Sequence, residues 1–190
     1  MKIRAKFFFG LSLIAAFLIP SLEAKKIIKD KSPNGRYALE LSRIDDGQWS
    51  ADIVDLKSKG SVASLELYQN MIDGARLVWS KDSQRVAYFE PDRRGGSTTV
   101  YFRKEPDFEL VELPEFPECK RPSPKEGESH VKTIEATTKP QKWLSSGALM
   151  LRVHFEELME KEDEQYSQPC TQIVTITFDS NHKASVKTAK

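Results

Sequence analysis

The phrase that most constrains this chain is Trp79-Ser80-Lys81-Asp82-Ser83 with the run Arg85–Glu90 behind it: a bulky aromatic, a polar turn, then residues in which Val86 and Tyr88 share one face. A tight turn that delivers side chains of period two builds antiparallel hairpins rather than amphipathic helices. An earlier copy reads Ser32-Pro33-Asn34-Gly35-Arg36-Tyr37, where proline presets the first turn position and Asn-Gly tolerates positive φ. A looser later copy reads Trp143-Leu144-Ser145-Ser146-Gly147-Ala148-Leu149, and its strand starts about one residue early. Ser32 and Ser80 are 48 residues apart and Trp79 and Trp143 are 64 apart, which brackets or exceeds the roughly 40–50 residues of a propeller blade.

The phrase resembles the (W)SPDG-x-x-(L/I)-A-F element that opens blades in TolB-like and prolyl-oligopeptidase-type β-propellers. The resemblance covers three segments of about ten residues. Ser32-Pro33-Asn34-Gly35 lies closest to the pattern, Lys81 and Ser83 depart from it at the proline and the glycine, and the third copy lacks both proline and acid. What it implies is a chain of blade-like repeats. It reaches only the non-catalytic part of the oligopeptidases, because no α/β-hydrolase domain fits in this length.

The N-terminus is a different kind of segment. Lys2, Arg4 and Lys6 precede the apolar run from Phe7 to Ile19, and Leu22-Glu23-Ala24 ends on a small residue, so residues 1–24 read as a secretory signal cleaved after Ala24. The run is short for a bilayer span and no lipoprotein cysteine follows it. An exported, periplasmic or extracellular protein without a transmembrane anchor is expected. The remaining 166 residues carry 26 basic against 27 acidic side chains, so nothing in the overall charge draws the protein to nucleic acid.

Residues 25–190 read as one β-rich domain, an antiparallel meander of about nine to eleven strands with about three blade-like repeats. About three repeats do not close a propeller, so an incomplete propeller or an open sandwich is expected. Strand alternation runs from Tyr37, turns at Asp45-Asp46-Gly47, and returns through Trp49–Leu56; Thr171–Phe178 is the clearest β-branched run. Residues 114–127 hold four prolines and no apolar period, which marks an insertion into the last repeat. Glu156–Gln168, with six acids in thirteen residues, reads as a short helix at a hairpin tip or a solvated loop, and its acids suit calcium or a basic partner only without the spacing of an EF-hand.

No catalytic constellation is visible. His130, His154 and His182 stand apart with no HExxH, there is no GxSxG, and neither a metal nor another cofactor is expected. Arg93-Arg94 beside Gly95-Gly96 forms a charged turn that suits a carboxylate or phosphate. Trp49, Trp79, Tyr88, Tyr101 and Trp143 read as core anchors. The function expected is a non-enzymatic binding or scaffold protein of the bacterial envelope, its partner another envelope protein or peptide. The alternative is a small exported hydrolase using carboxylates that are not adjacent in sequence.

Cys119 and Cys170 are the only cysteines, and an isolated pair in an oxidising compartment predicts a bridge. A metal or redox pair is opposed by their separation, and an immunoglobulin-type core around Trp143 by the prolines around Cys119. Closing a loop of this length stabilises by about 4 kcal/mol in the chain-entropy model. Titration of denatured, unreduced mature protein is expected to find no reactive thiol; two would refute the bridge.

Overall fold

The computed structural model describes residues 25–45, 47–93, 95–117, 128–161 and 164–188. The expected signal segment with its expected cleavage point after Ala24, Cys119 and most of the proline-rich stretch lie outside the described residues. Three four-stranded antiparallel meanders make up the fold, each pairing its strands in chain order. The first holds β1 (Lys26–Lys29), β2 (Tyr37–Asp45), β3 (Gln48–Asp55) and β4 (Gly60–Leu65). The second holds β5 (Arg76–Trp79), β6 (Arg85–Glu90), β7 (Ser97–Lys104) and β8 (Asp107–Val111). The third holds β9 (Glu128–Trp143), β10 (Leu149–Lys161), β11 (Glu164–Phe178) and β12 (Ala184–Thr188). The architecture is all-β and antiparallel, consistent with an incomplete propeller or an open sandwich.

Two expectations need correction. Among the described residues twelve strands form rather than nine to eleven, because the four residues of β1 are too few to show alternation yet pair fully with β2, from Lys26 opposite Ser42 to Lys29 opposite Leu39. The described residues of the acidic segment Glu156–Gln168, up to Lys161 and from Glu164, are strand rather than helix or loop. β10 and β11 stay in unbroken register from Leu149 opposite Ile176 to Lys161 opposite Glu164. The period explains why: Phe155, Glu157 and Met159 are buried in alternation, so the strand pattern of the core runs on beneath the acids.

The second sheet sits between the other two because it is apolar on both faces. Leu77, Val86, Tyr88 and Tyr101 pack with Tyr37, Leu39, Leu41 and Ile53 of the first sheet. The alternate residues Ala87, Val100 and Phe102 pack with Leu149, Leu151, Val153, Val174 and Ile176 of the third. The far face of the first sheet is instead polar: Lys26 pairs with Glu40 at 2.7 Å, and the Ser61 and Ser64 hydroxyls donate to Asp52. Such a face closes the stack against water.

The three repeated turns are equivalent in three dimensions. The amide of Gly35 donates to Ser32 O at 2.8 Å, that of Ser83 to Ser80 O at 3.0 Å, and that of Gly147 to Leu144 O at 2.9 Å. Gly35, Ser83 and Gly147 all take positive φ, at 70°, 59° and 83°. The Asn34 and Asp82 side chains accept from the amides of Arg36 and Gln84, an Asx turn in each case. Burial works against the Asp82 charge, yet bonds from the Ser80 hydroxyl, the Gln84 amide and the Arg85 guanidinium hold its carboxyl below the usual range. Neighbouring turns are tied together: the Asn34 amide donates to Ser83 Oγ at 3.1 Å, and Arg85 Nη1 donates to Gly147 O at 2.8 Å.

The repeated tryptophans stitch each sheet to the one before it. Trp79 Nε1 donates to Asp30 O at 2.7 Å, and Trp143 Nε1 donates to Val78 O at 2.8 Å. Each indole also joins an aromatic cluster, Trp79 with Tyr37 and Phe108, and Trp143 with Phe102 and Phe178. Pro33 is exposed and only shapes its turn.

A Cβ at Gly147 would lie 2.1 Å from Arg85 Nη1, so the guanidinium would have to leave its place over this turn. Gly147→Ala therefore combines left-handed strain with the loss of the Arg85 contact, and is expected to cost about 2 kcal/mol or more. For a chain of this size that lowers Tm by roughly 4–8 °C in calorimetry. Lys81→Ala, on the exposed tip of the second turn, should leave Tm within about 2 °C.

Candidate functional site: a basic cleft around Phe89

The first strands of the three sheets, β1, β5 and β9, come together at one side of the stack, and a cleft opens there. One cavity of about 310 Å³ is lined by Lys29, Asp30, Asp73, Arg76, Phe89 and Lys139. A second, of about 370 Å³, is lined by Phe89, Gly95, Thr137, Lys139, Arg152 and His154. Phe89 and Lys139 border both, so the two are lobes of a single depression.

Each side chain is placed by the strand that carries it. Arg76 and Phe89 stand directly opposite on β5 and β6, as do Lys139 and Arg152 on β9 and β10. Phe89 follows the alternation of β6 and points toward the third sheet. Its ring packs so closely on Gly96 that a Cβ there would lie 2.8 Å from it, which is why the loop before β7 carries glycine. The third sheet is held against this loop by a reciprocal buried pair: the Thr98 amide donates to Thr138 Oγ1 at 2.7 Å, and the Thr98 hydroxyl donates to Thr138 O at 2.9 Å. Asp30, with φ of 52°, ties the end of β1 to β5 by accepting the Leu77 amide at 2.9 Å.

The charges of the cleft are unequal. Four permanent cations, Lys29, Arg76, Lys139 and Arg152, face two carboxylates, Asp30 and Asp73. Among the described residues none of the four cations forms a salt bridge. Lys29 Nζ donates to Ile72 O at 3.2 Å and Arg76 Nη2 to Pro140 O at 2.9 Å, both neutral carbonyls. Arg76 Nε is buried with no acceptor. The Arg76 guanidinium and the Lys139 ammonium lie 5.8 and 5.6 Å from the centroid of the Phe89 ring, whose π-face holds them in place. His154, at the rim, contacts Thr171 Oγ1 through Nδ1 at 2.8 Å and Glu156 through Nε2 at 3.4 Å. Four cations against two carboxylates leave the cleft with a surplus of positive charge, which suits an anion.

The residues singled out from the sequence lie elsewhere. Ser32, Asn34, Gly35, Trp79, Ser80, Asp82, Trp143 and Gly147 form the column of turns and build the scaffold. Arg94 falls outside the described residues, and Arg93 is an exposed turn residue. Gly95, next to that pair, is the part of the motif that reaches the cleft. The three histidines stay apart: His182 packs on Phe102, and His130 Nε2 lies 2.5 Å from Oε2 of buried Glu157. Among the described residues there is no group of three or more His, Cys, Asp or Glu side chains able to hold a metal, and no helix long and apolar enough to cross a membrane. Cys170 sits on β11 opposite Phe155, and its expected partner Cys119 is outside the described residues.

A second pair of groups stands at the far side of the middle sheet. Burial pushes the Glu90 carboxyl above its usual range, and repulsion from Glu66 and Asp92 adds to this, against a bond from the Tyr68 amide. The Tyr88 hydroxyl donates to the Glu66 backbone carbonyl at 2.7 Å, and the charges of Glu66 and Glu90 both act on this tyrosine. No known protein-family model matches the chain, and no curated protein matches it.

Proposed function

We propose that the protein is an exported, non-enzymatic binding or scaffold module of the envelope, and that it engages an anionic segment of another protein or peptide through the basic cleft. The observation that carries this reading is the surplus of four cations over two carboxylates in the cleft, with Arg76 and Lys139 against the Phe89 ring and none of the four in a salt bridge among the described residues. A protein gains nothing in stability by gathering like charges in this way. The signal-like N-terminus supports export, and the likeness of the turn phrase to TolB-like blades supports a scaffold of repeats.

The test is capture of partners from an envelope extract by the mature protein, with Lys139→Glu/Arg152→Glu as control. Exposed charge pairs contribute about 0.2–1 kcal/mol each, so reversing two is expected to weaken binding of an acidic peptide by roughly tenfold or more. Binding should also fall as salt is raised. Equal capture by wild type and the double variant at low salt would refute the cleft as the seat.

One observation favours the hydrolase alternative. Glu90, with a raised carboxyl beside a second carboxylate, has the character of a general acid. In that reading Glu90 protonates a leaving group and Glu66 acts as base, and Glu90→Gln abolishes turnover of glycoside or ester substrates that the wild type cleaves. The same variant has a stability signature. A carboxyl raised in the folded state contributes stability that is present below the unfolded value of 4.5 and is lost as pH rises through the folded value. Glu90→Gln is therefore expected to raise Tm relative to wild type at pH 7 and to lose that advantage near pH 4, as read by thermal melts. A Tm difference independent of pH would show that Glu90 is not strained.

A further inference from the structure

We infer that the outward face of the third sheet is a docking surface for a bilayer that carries anionic phospholipid. This goes beyond the reading of the cleft and rests on other residues, Lys142, Met150, Ile173 and Lys187, sharing with the cleft only a border at Lys139 and Arg152.

The face is fixed by register. Residues paired across neighbouring strands point to the same side of a sheet, and so do residues two apart along a strand. Leu149, Leu151 and Val153 of β10 are buried against the second sheet, so Met150, Arg152 and His154 point away from it. Their partners complete three rows. The first runs Lys142, Met150, Thr175, Lys187 from β9 to β12, the second Lys139, Arg152, Ile173, and the third Thr137, His154, Thr171. Four permanent cations stand in these rows and no acid does. Among the described residues none of the four forms a salt bridge. All four are exposed, and so is Ile173, at 45%. The next acid along β10 is Glu156, one row beyond His154, and it lies 3.4 Å from that histidine. At the other end Asp179 sits in the turn before β12, accepting from the amides of Asn181 and Lys183.

Four strands about 4.8 Å apart and two steps of about 6.8 Å along them make a patch roughly 14 Å on a side. Two apolar side chains, Met150 and Ile173, stand among its cations. That mixture decides the occupant. A second copy is opposed, because two such faces repel, and the far face of the first sheet already pairs its acids with its own Lys26, Ser61 and Ser64. A folded acidic protein would need carboxylates set against each row and a socket for Ile173. Anionic headgroups move to meet cations wherever they stand, and the layer beneath them receives an isoleucine. Export, expected from the N-terminus, brings the face to a bilayer.

The test is co-sedimentation of the mature protein with phosphatidylcholine vesicles made with and without phosphatidylglycerol. The wild type is expected to bind only the anionic vesicles, and less as salt is raised above about 0.1 M. Each basic side chain at an anionic surface strengthens binding about fivefold, so Lys142→Glu/Lys187→Glu is expected to weaken it roughly twentyfold or more. Ile173→Ser should weaken it several-fold without changing the salt dependence. Lys57→Glu/Lys81→Glu makes the same change in net charge at exposed turn positions of the first two sheets and should bind nearly as the wild type does. Circular dichroism checks the strand content of each variant, and Lys142→Gln/Lys187→Gln replaces the reversed pair if that fails to fold. A wild type that ignores anionic vesicles, or equal losses in the two reversed pairs, overturns the inference. Lys142 and Lys187 lie outside the cleft, so an acidic peptide should bind Lys142→Glu/Lys187→Glu as tightly as the wild type. If vesicles are ignored while the peptide still binds, the cleft stands and only the bilayer contact falls; if neither binds, both fall.

Discussion

The structure depends on one sheet being apolar on both faces. In β6 and β7 successive residues point alternately to the first and the third sheet, so Val86, Tyr88 and Tyr101 build one core and Ala87, Val100 and Phe102 the other. Burial of apolar area is non-directional, however, and by itself would let sheets slide over one another. The directional element is the indole N–H. Trp79 and Trp143 each donate to a backbone carbonyl of the preceding sheet, fixing the offset between layers. The turn bonds Asn34 to Ser83 and Arg85 to Gly147 fix it a second time.

This offset places the cleft. With each sheet set by its tryptophan, β1, β5 and β9 fall side by side, and Lys29, Arg76 and Lys139 arrive from three sheets at one cleft. Phe89 then serves two purposes. Its edge fills space against Gly96, and its face holds two cations at under 6 Å. The scaffold is thus rigid where the charges are gathered, and ligand charge meets an arrangement that needs little reordering.

The length of the β10–β11 hairpin follows from the same alternation, carried beyond the core. Glu157 and Met159 continue the buried register of Leu151, Val153 and Phe155, so the ladder persists where composition alone suggests a solvated tip. Charge density was a poor guide because the acids occupy mainly the outward positions of a strand whose inward positions stay buried. Glu66 and Glu90 show the complementary case, two acids far apart in sequence whose charges only folding brings to bear on each other.

Local information determined a good deal. The turn phrases are short-range objects, decided by proline, glycine and Asx side chains within about six residues, and the strands they feed are decided by a period of two. Hence Ser32, Ser80 and Gly147, the antiparallel all-β class and the open stack were legible before any coordinates. The cleft was not, because Lys29, Arg76, Lys139 and Arg152 each look like ordinary strand-end charges in their own segments. What unites them is register across three sheets, a long-range quantity set by interlocking cores and indole bonds, and no window of sequence contains it.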